Sequence, residues 1–122
     1  MKSVRIAYII FTLLLVIAII NSIVLGRIVE RLDKEIADAE EIDMAIAEKE
    51  YREIYERYKD IELYISLSIN HDDLSNLENA FAEIIGAAKA GDRDAVITIK
   101  SRMNDYLRHI RRLTGINIDS IF

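Results

Sequence analysis

The chain contains no cysteine and no proline, and only four glycines and two histidines among its 122 residues. The lack of cysteine excludes disulfide bonds, thiolate metal sites and thiol catalysis. Proline and glycine are the usual breakers of helices, and none stands between Gly26 and Gly86. The sequence therefore favours long helices over a turn-rich β fold. The net charge of −5 argues against nucleic-acid binding.

One long segment, residues 6–25, has no charged side chain and reads IAYIIFTLLLVIAIINSIVL. As a helix it would span about 30 Å, the thickness of the hydrocarbon core of a bilayer. We therefore predict a transmembrane signal anchor over residues 1–27. A cleaved signal peptide is the alternative, but its apolar region is about 7–15 residues long and ends in a small-x-small site. This segment is longer and no such site follows it.

The orientation of the anchor depends on the basic residues on its two sides. Lys2 and Arg5 precede the segment, and Arg27, Arg31 and Lys34 follow it, so the counts that decide orientation nearly balance. A short basic stretch before a long apolar run is nevertheless typical of a signal anchor. We expect a single-pass protein of the cell membrane with its helical domain outside the cytoplasm.

Three later segments place apolar residues three and four positions apart, which is the spacing of a helix with one buried face. These stripes are Met44, Ala47, Tyr51, Ile54, Tyr58, Ile61 and Ile65; Leu74, Leu77, Phe81, Ile84 and Ala88; and Val96, Ile99, Met103, Tyr106, Ile110 and Leu113. The connections are short, so neighbouring helices should be antiparallel. The expected fold is all-α, with an antiparallel three-helix bundle over residues 44–122 that includes a short C-terminal tail. Residues 30–62 are acidic and residues 89–112 basic, so the first bundle helix is expected to lie against the third.

The ends of these helices follow from capping residues. A capping box formed by Ser75 and Glu78 predicts the start of the second bundle helix. Gly91 is expected to end that helix in a left-handed conformation, and Asp92 to cap the next one. Gly115 is expected to end the third.

Residues 28–43 are predicted to form a juxtamembrane helical stalk with an apolar stripe of its own. The stripe is Leu25, Val29, Leu32, Ile36 and Ala39, spaced four, three, four and three. An apolar stripe in water usually meets a partner helix. We expect Val29, Leu32, Ile36 and Ala39 to pair with a second copy as a parallel coiled coil, or with a helix of another membrane protein. The alternative is a bend at residues 40–43 that lays the segment on the membrane surface or back on the bundle.

Candidates for a chemical site are few. His71, His109 and Asp72 would lie at a similar level of an antiparallel hairpin, and such a set can bind zinc. Pairing of the acids beside His71 with the arginines near residue 110 is the preferred interpretation. Tyr51 and Tyr58 are expected to be core residues rather than a ligand box. Phosphate loops, nucleophile elbows and lipidation motifs are missing from the sequence. We therefore expect no catalytic residues, no cofactor and no enzyme activity.

The segment around residues 64–73 resembles part of a known protein family. The residues of the resemblance are Tyr64-Ile65-Ser66-Leu67-Ser68-Ile69-Asn70-His71-Asp72-Asp73, Leu77-Glu78, Asp92, Ala95, His109-Ile110, Asn117-Ile118 and Ile121-Phe122. They are similar to an uncharacterised family of short bacterial proteins, catalogued as a domain of unknown function, with an N-terminal membrane helix and a small helical domain. The resemblance covers nearly the whole chain. It implies a bacterial cell envelope location and no particular activity.

Two classes of function fit these observations. The first is a non-catalytic interaction or accessory protein held at the membrane. The second is a small-ligand sensor or binding module built on the helical bundle. Specific association with another membrane protein would favour the first class, and a ligand-induced rise in melting temperature would favour the second.

Overall fold

A computed structural model describes the backbone of residues 1–119 and the side chains of residues 1–112. That part of the chain forms four helices and no strand: α1 Lys2–Asp38, α2 Met44–Ser66, α3 His71–Lys89 and α4 Arg93–Asp119. The all-helical fold class is confirmed. Leu113 of the third stripe and the family-like residues 117–122 lie outside the side chains that are described.

Helix α1 is continuous through Gly26 and has two different halves. Before Leu25 its apolar side chains are mostly exposed, and only 6% of its most apolar stretch is buried. From Leu25 onward one face is buried. The core helix of a soluble protein would bury its most apolar part, and α1 does the opposite. Within the described residues, α1 is the one helix long and apolar enough to cross a membrane.

The second half of α1 belongs to the bundle. Its stripe is buried inside the chain, with Leu25, Val29, Leu32, Ile36 and Ala39 each at most 6% exposed. The expected pairing of this stripe with another chain is therefore replaced by packing within the chain. The alternative prediction, a bend at residues 40–43, is confirmed. Of its two versions, the structure has the one in which the segment lies back on the bundle.

Local chemistry explains the bend. Ala39 is extended, with φ −63° and ψ 147°, which ends α1. The Asp43 carboxylate accepts hydrogen bonds from the backbone N–H groups of Ala45, at 3.0 Å, and Ile46, at 3.3 Å. This N-cap starts α2 in a new direction. The backbone N–H of Glu40 also donates to a carboxylate of α2 at 2.7 Å, so the turn is held from both sides.

Each helix packs mainly on two neighbours: α1 on α2 and α4, and α3 on α2 and α4. The predicted contact between the acidic first bundle helix, α2, and the basic α4 is wrong, because these two are diagonal. The acidic stretch of residues 30–43, which ends α1 and forms the turn after it, takes that place. Lys100 of α4 donates to the Glu41 carboxylate at 2.8 Å and to the carbonyl of Ala39 at 3.2 Å. Arg111 lies 3.7 Å from the carboxylate of Glu30.

The predicted stripes account for most of the core. Every residue of the α3 stripe is buried, whereas Met44 and Ile61 of α2 are half-buried at its edge. In α4 the stripe places Tyr106 in the core, but Leu107 is 1% exposed and Tyr106 is only half-buried. The reason is that α4 contacts helices on two sides, which requires a wider apolar face than one stripe provides.

Two of the predicted helix ends are wrong. Helix α3 begins at His71 rather than near Ser75, because Asn70 caps it by accepting the backbone N–H of Asp72 at 3.1 Å. Asparagine is as good a cap as serine, and α3 has two acids in its first turn, where the helix dipole favours them. Helix α4 continues through Gly115 to Asp119. A single glycine inside a helix costs only about 1 kcal/mol relative to alanine.

The turn between α3 and α4 is formed as predicted. Gly91 has φ +73°, and the Asp92 carboxylate accepts the backbone N–H of Ala95 at 3.1 Å. The N–H of Gly91 donates to the carbonyl of Ala88 at 3.0 Å, and that of Asp92 to Ala87 at 2.9 Å. These bonds satisfy carbonyls at the end of α3.

Opposite effects are expected from alanine at Gly91 and at Gly86. Neither position has an atom within 4 Å of an added Cβ, so only backbone conformation matters. Gly91→Ala should destabilise by about 1–2 kcal/mol because a Cβ disfavours positive φ. Gly86→Ala, inside α3, should stabilise by roughly 0.5–1 kcal/mol. Thermal unfolding of the two variants checks both signs, and two shifts of the same sign would contradict the assigned turn.

Candidate functional site

A groove lies between α1 and α2. Its volume is about 300 Å³. These two helices pack together less extensively than the other neighbouring pairs, which leaves the opening between them. The lining comprises Ile28, Arg31, Leu32, Glu35, Ile54, Arg57, Tyr58, Asp60 and Ile61. The floor is thus mainly aliphatic, and the rim has both signs of charge.

The charged rim is joined across the groove. Glu35 of α1 accepts from Arg57 of α2 at 3.2 Å and lies 3.4 Å from the guanidinium of Arg31. Both arginine side chains are more than half exposed. Exposed ion pairs contribute little to stability, so these groups can rearrange to contact a bound molecule at small cost.

Tyr58 lines this groove, and its hydroxyl is buried without a hydrogen-bond partner among the described residues. The side chain is 1% exposed, and its ring lies 5.5 Å from that of Phe81 and 6.2 Å from that of Tyr55. Burial, with the charges of Glu78 and Glu62, raises its pKa well above the ordinary value, so the phenol is neutral at physiological pH. A buried unpaired hydroxyl is costly, and a bound water or ligand atom would relieve this.

Tyr51, about two helical turns earlier in α2, resembles Tyr58 in its burial and in its hydroxyl. Its hydroxyl is also buried without a partner in the described part of the chain, and burial, with the charges of Glu41 and Glu50, raises its pKa to about 12. Tyr51 and Tyr58 are 0% and 1% exposed. The prediction that these tyrosines are core residues is confirmed, although their hydroxyls remain polar groups inside that core.

Glu78 of α3 lies near Glu62 of α2, and this raises its pKa. A hydrogen bond with Glu62 is the largest cause that raises the pKa of Glu78, and partial burial and the negative charge of Glu62 act in the same direction. Lys59 and His71 oppose the shift. Sequence reasoning missed this pair because the two glutamates are on different helices, and each alone resembles a solvated surface residue.

The pH dependence of stability follows from this pair. A carboxyl whose pKa is raised on folding binds more protons in the folded state, so its contribution falls as pH rises from the ordinary carboxyl pKa through the raised one. Glu78→Gln should therefore stabilise the protein above that range, by on the order of 0.5 kcal/mol, and have less effect at lower pH. Thermal unfolding at several pH values checks this.

Two further variants serve as controls: Glu62→Gln alone, and the double variant that carries both Glu62→Gln and Glu78→Gln. Each single substitution removes the same repulsion, so the double variant should gain less than the sum of the two. Additive gains, or a loss of stability from Glu78→Gln near neutral pH, would show that the carboxyls do not interact.

The sequence-predicted metal candidates are only partly brought together. His109 lies 3.7 Å from the carboxylate of Asp73, and the His71 ring is 3.5 Å from the hydroxyl of Ser75. Asp72 contributes its backbone N–H to the Asn70 cap. No group of three or more histidine and acidic side chains in the described residues is placed to hold a metal ion. The acids beside His71 were expected to pair with arginines near residue 110. Asp73 instead lies against a histidine, His109.

A second cluster joins α1 to the corner between α2 and α3. The Asn21 amide donates to the Ser68 hydroxyl at 3.1 Å, and its carbonyl accepts from the hydroxyl of Tyr64. The sequence marks Asn21 as one of few polar residues in the apolar run, but its partners are more than forty positions away. Sequence spacing alone could not identify them.

Comparisons with protein-family models, with curated proteins and with solved structures gave no match.

Proposed function

We propose that this chain is a membrane-anchored, non-catalytic helical interaction or accessory protein of the bacterial cell envelope. The observation that supports it is the division of α1 into an exposed apolar half and a half packed in the bundle. A continuous helix through this boundary fixes the bundle against the membrane without a flexible linker. The resemblance to a family of short bacterial membrane proteins agrees with this location.

The proposed topology is single-pass, with Lys2 and Arg5 on the cytoplasmic side and the helical bundle outside the cytoplasm. The basis for this orientation is the short basic stretch before a long apolar run, which is typical of a signal anchor, since the basic residues on the two sides nearly balance. The partner is proposed to be another membrane protein that contacts the bundle. The partner contacts a surface other than Val29, Leu32, Ile36 and Ala39, because the chain itself buries those side chains.

The groove between α1 and α2 is the surface on which we expect that partner. Its aliphatic floor can accept an apolar side chain, and its rim, with Arg31, Glu35 and Arg57, can pair with charges of either sign. Interfaces commonly combine an apolar centre with a polar rim.

Photocrosslinking in native membranes tests the proposal. A photoreactive residue at Asp60, which is exposed at the groove, is compared with one at Asp105, an exposed aspartate of α4 that does not line it. We expect a discrete crosslinked protein from position 60 that is absent or weaker from position 105. The absence of any crosslinked protein from either position would contradict an interaction role for the bundle.

The second candidate function is a small-ligand binding module. Tyr58 favours it, because this residue lines the groove and its buried hydroxyl has no partner among the described residues. Binding there should raise the melting temperature of the purified protein, and Tyr58→Phe should weaken that response by removing the hydroxyl. A small-molecule panel that produces no shift, while a crosslinked protein is found, would favour the interaction role.

A further inference from the structure

Residues 63–70 form the corner between α2 and α3. The apolar run of α1 fixes how close this corner lies to a bilayer that α1 crosses. The bonds from Asn21 to Tyr64 and Ser68 hold the corner against α1. Asn21 lies inside the uncharged segment 6–25. The part of that segment before Asn21 has a length of only about 22 Å, less than the roughly 30 Å of a hydrocarbon core. A bilayer that accommodates the whole segment therefore reaches the level of the corner.

Two large apolar side chains lie on the outer surface of this corner, together with the polar residues Ser66, Ser68 and Asn70. Leu63 is 77% exposed and Leu67 80% exposed, although the corner as a whole is part of a packed bundle. Tyr64 lies between them with its ring partly exposed and its hydroxyl bonded to Asn21. A tyrosine with an apolar ring and a hydrogen-bonded hydroxyl is typical of the interface between membrane and water.

The connections between the helices differ in charge. Residues 63–70 read LYISLSIN and contain no charged side chain. At the opposite end, the connection 39–43 reads AEEID and the turn 89–93 reads KAGDR. The corner is thus the one of these three connections without a charged side chain, and it is also the one hydrogen-bonded to the apolar run.

We propose that residues 63–70 form a second membrane contact, with Leu63, Tyr64 and Leu67 inserted into the interfacial layer of the bilayer that α1 crosses. This inference rests on the proposed membrane insertion of α1. The bundle then sits directly on the lipid, with residues 39–43 and 89–93 directed away from it. The bundle is then attached to the bilayer at two points, α1 and the corner. Two points of attachment limit the tilting of the bundle about α1. Lipid is the occupant because Tyr64, within the patch, is hydrogen-bonded to Asn21 of the apolar run, and the apolar side chains of that run are themselves exposed.

Tryptophan substitution tests the contact directly, because the chain contains no tryptophan. The full-length protein is reconstituted in phosphatidylcholine vesicles whose acyl chains are brominated either near the headgroup or near the chain end. The test variant is Leu67→Trp. Ile42→Trp is the matched control, since Ile42 is 77% exposed at the opposite end of the bundle. Leu14→Trp, in the middle of the apolar run, reports on the anchor itself.

The Leu67→Trp variant should show blue-shifted emission and lose fluorescence mainly with lipid brominated near the headgroup. Leu14→Trp should be quenched most by lipid brominated near the chain end, and Ile42→Trp by neither. If Leu14→Trp is quenched while Leu67→Trp behaves like Ile42→Trp, the membrane contact is refuted and the anchor stands. If Leu67→Trp is blue-shifted but not quenched by either lipid, a second copy covers the corner, and lipid is the wrong occupant. An unquenched Leu14→Trp variant would refute the anchor and, with it, the contact.

Discussion

Replacing Phe81 by aspartate should unfold the bundle. Phe81 is 0% exposed, and its ring lies 5.2 Å from that of Tyr55 and 5.5 Å from that of Tyr58. Loss of a buried phenylalanine side chain alone costs about 3–5 kcal/mol, and an unpaired buried charge adds to that. The sum is comparable with the entire stability of a small domain, about 5–15 kcal/mol.

The measurement is thermal unfolding of the full chain in detergent, followed by far-UV circular dichroism. The first half of α1 should remain helical in the detergent, so a partial loss of the helical signal and the disappearance of the cooperative transition are expected. The control is Ala82→Asp, which introduces the same charge at the next, exposed position of α3. An unchanged transition for Phe81→Asp would show that the α3 stripe is not the core.

The second large effect is expected at Ile36, in the half of α1 that packs in the bundle. Ile36 is 1% exposed, so Ile36→Ala should cost about 2–5 kcal/mol and lower the melting temperature by about 10 °C or more. Ile42→Ala is a matched control with the same chemical change at a residue that is 77% exposed. It should stay within about 0.5 kcal/mol of the unmodified protein.

Concentration distinguishes this result from pairing between chains. If Ile36 is buried within one chain, the melting temperature of Ile36→Ala should not depend on protein concentration. A destabilisation that weakens at high concentration would indicate that the stripe is buried between copies instead. Equal melting temperatures for Ile36→Ala and Ile42→Ala would remove the second half of α1 from the core.

The candidate groove and the carboxyl pair were not predictable from the sequence. The groove is a gap between α1 and α2, so it exists only because two segments that pack loosely are brought side by side. The pair of Glu62 and Glu78 joins different helices, and each residue alone has the pattern of a solvated face. The histidines were predicted to share a level, but the structure gives His109 and His71 separate partners.

The sequence by itself determined what depends on local periodicity and composition. The uncharged run, the three-and-four spacing of the stripes and the turn at Gly91 and Asp92 each reflect interactions within a few residues, so they can be read without knowing the rest of the fold. Local signals did not fix the start of α3 or the end of α4. Asn70 and Ser75 offer equivalent caps, and one glycine does not stop a helix.

Only the tertiary structure decided which surface each apolar stripe meets. The stripe from Leu25 to Ala39 has the same pattern whether it contacts a second copy, another protein or its own bundle. The turn capped by Asp43 settles this by reversing the chain, and α4 then contacts two helices and buries Leu107 in place of Tyr106. A stripe shows that a partner is required, but the identity of the partner depends on contacts between residues far apart in the chain.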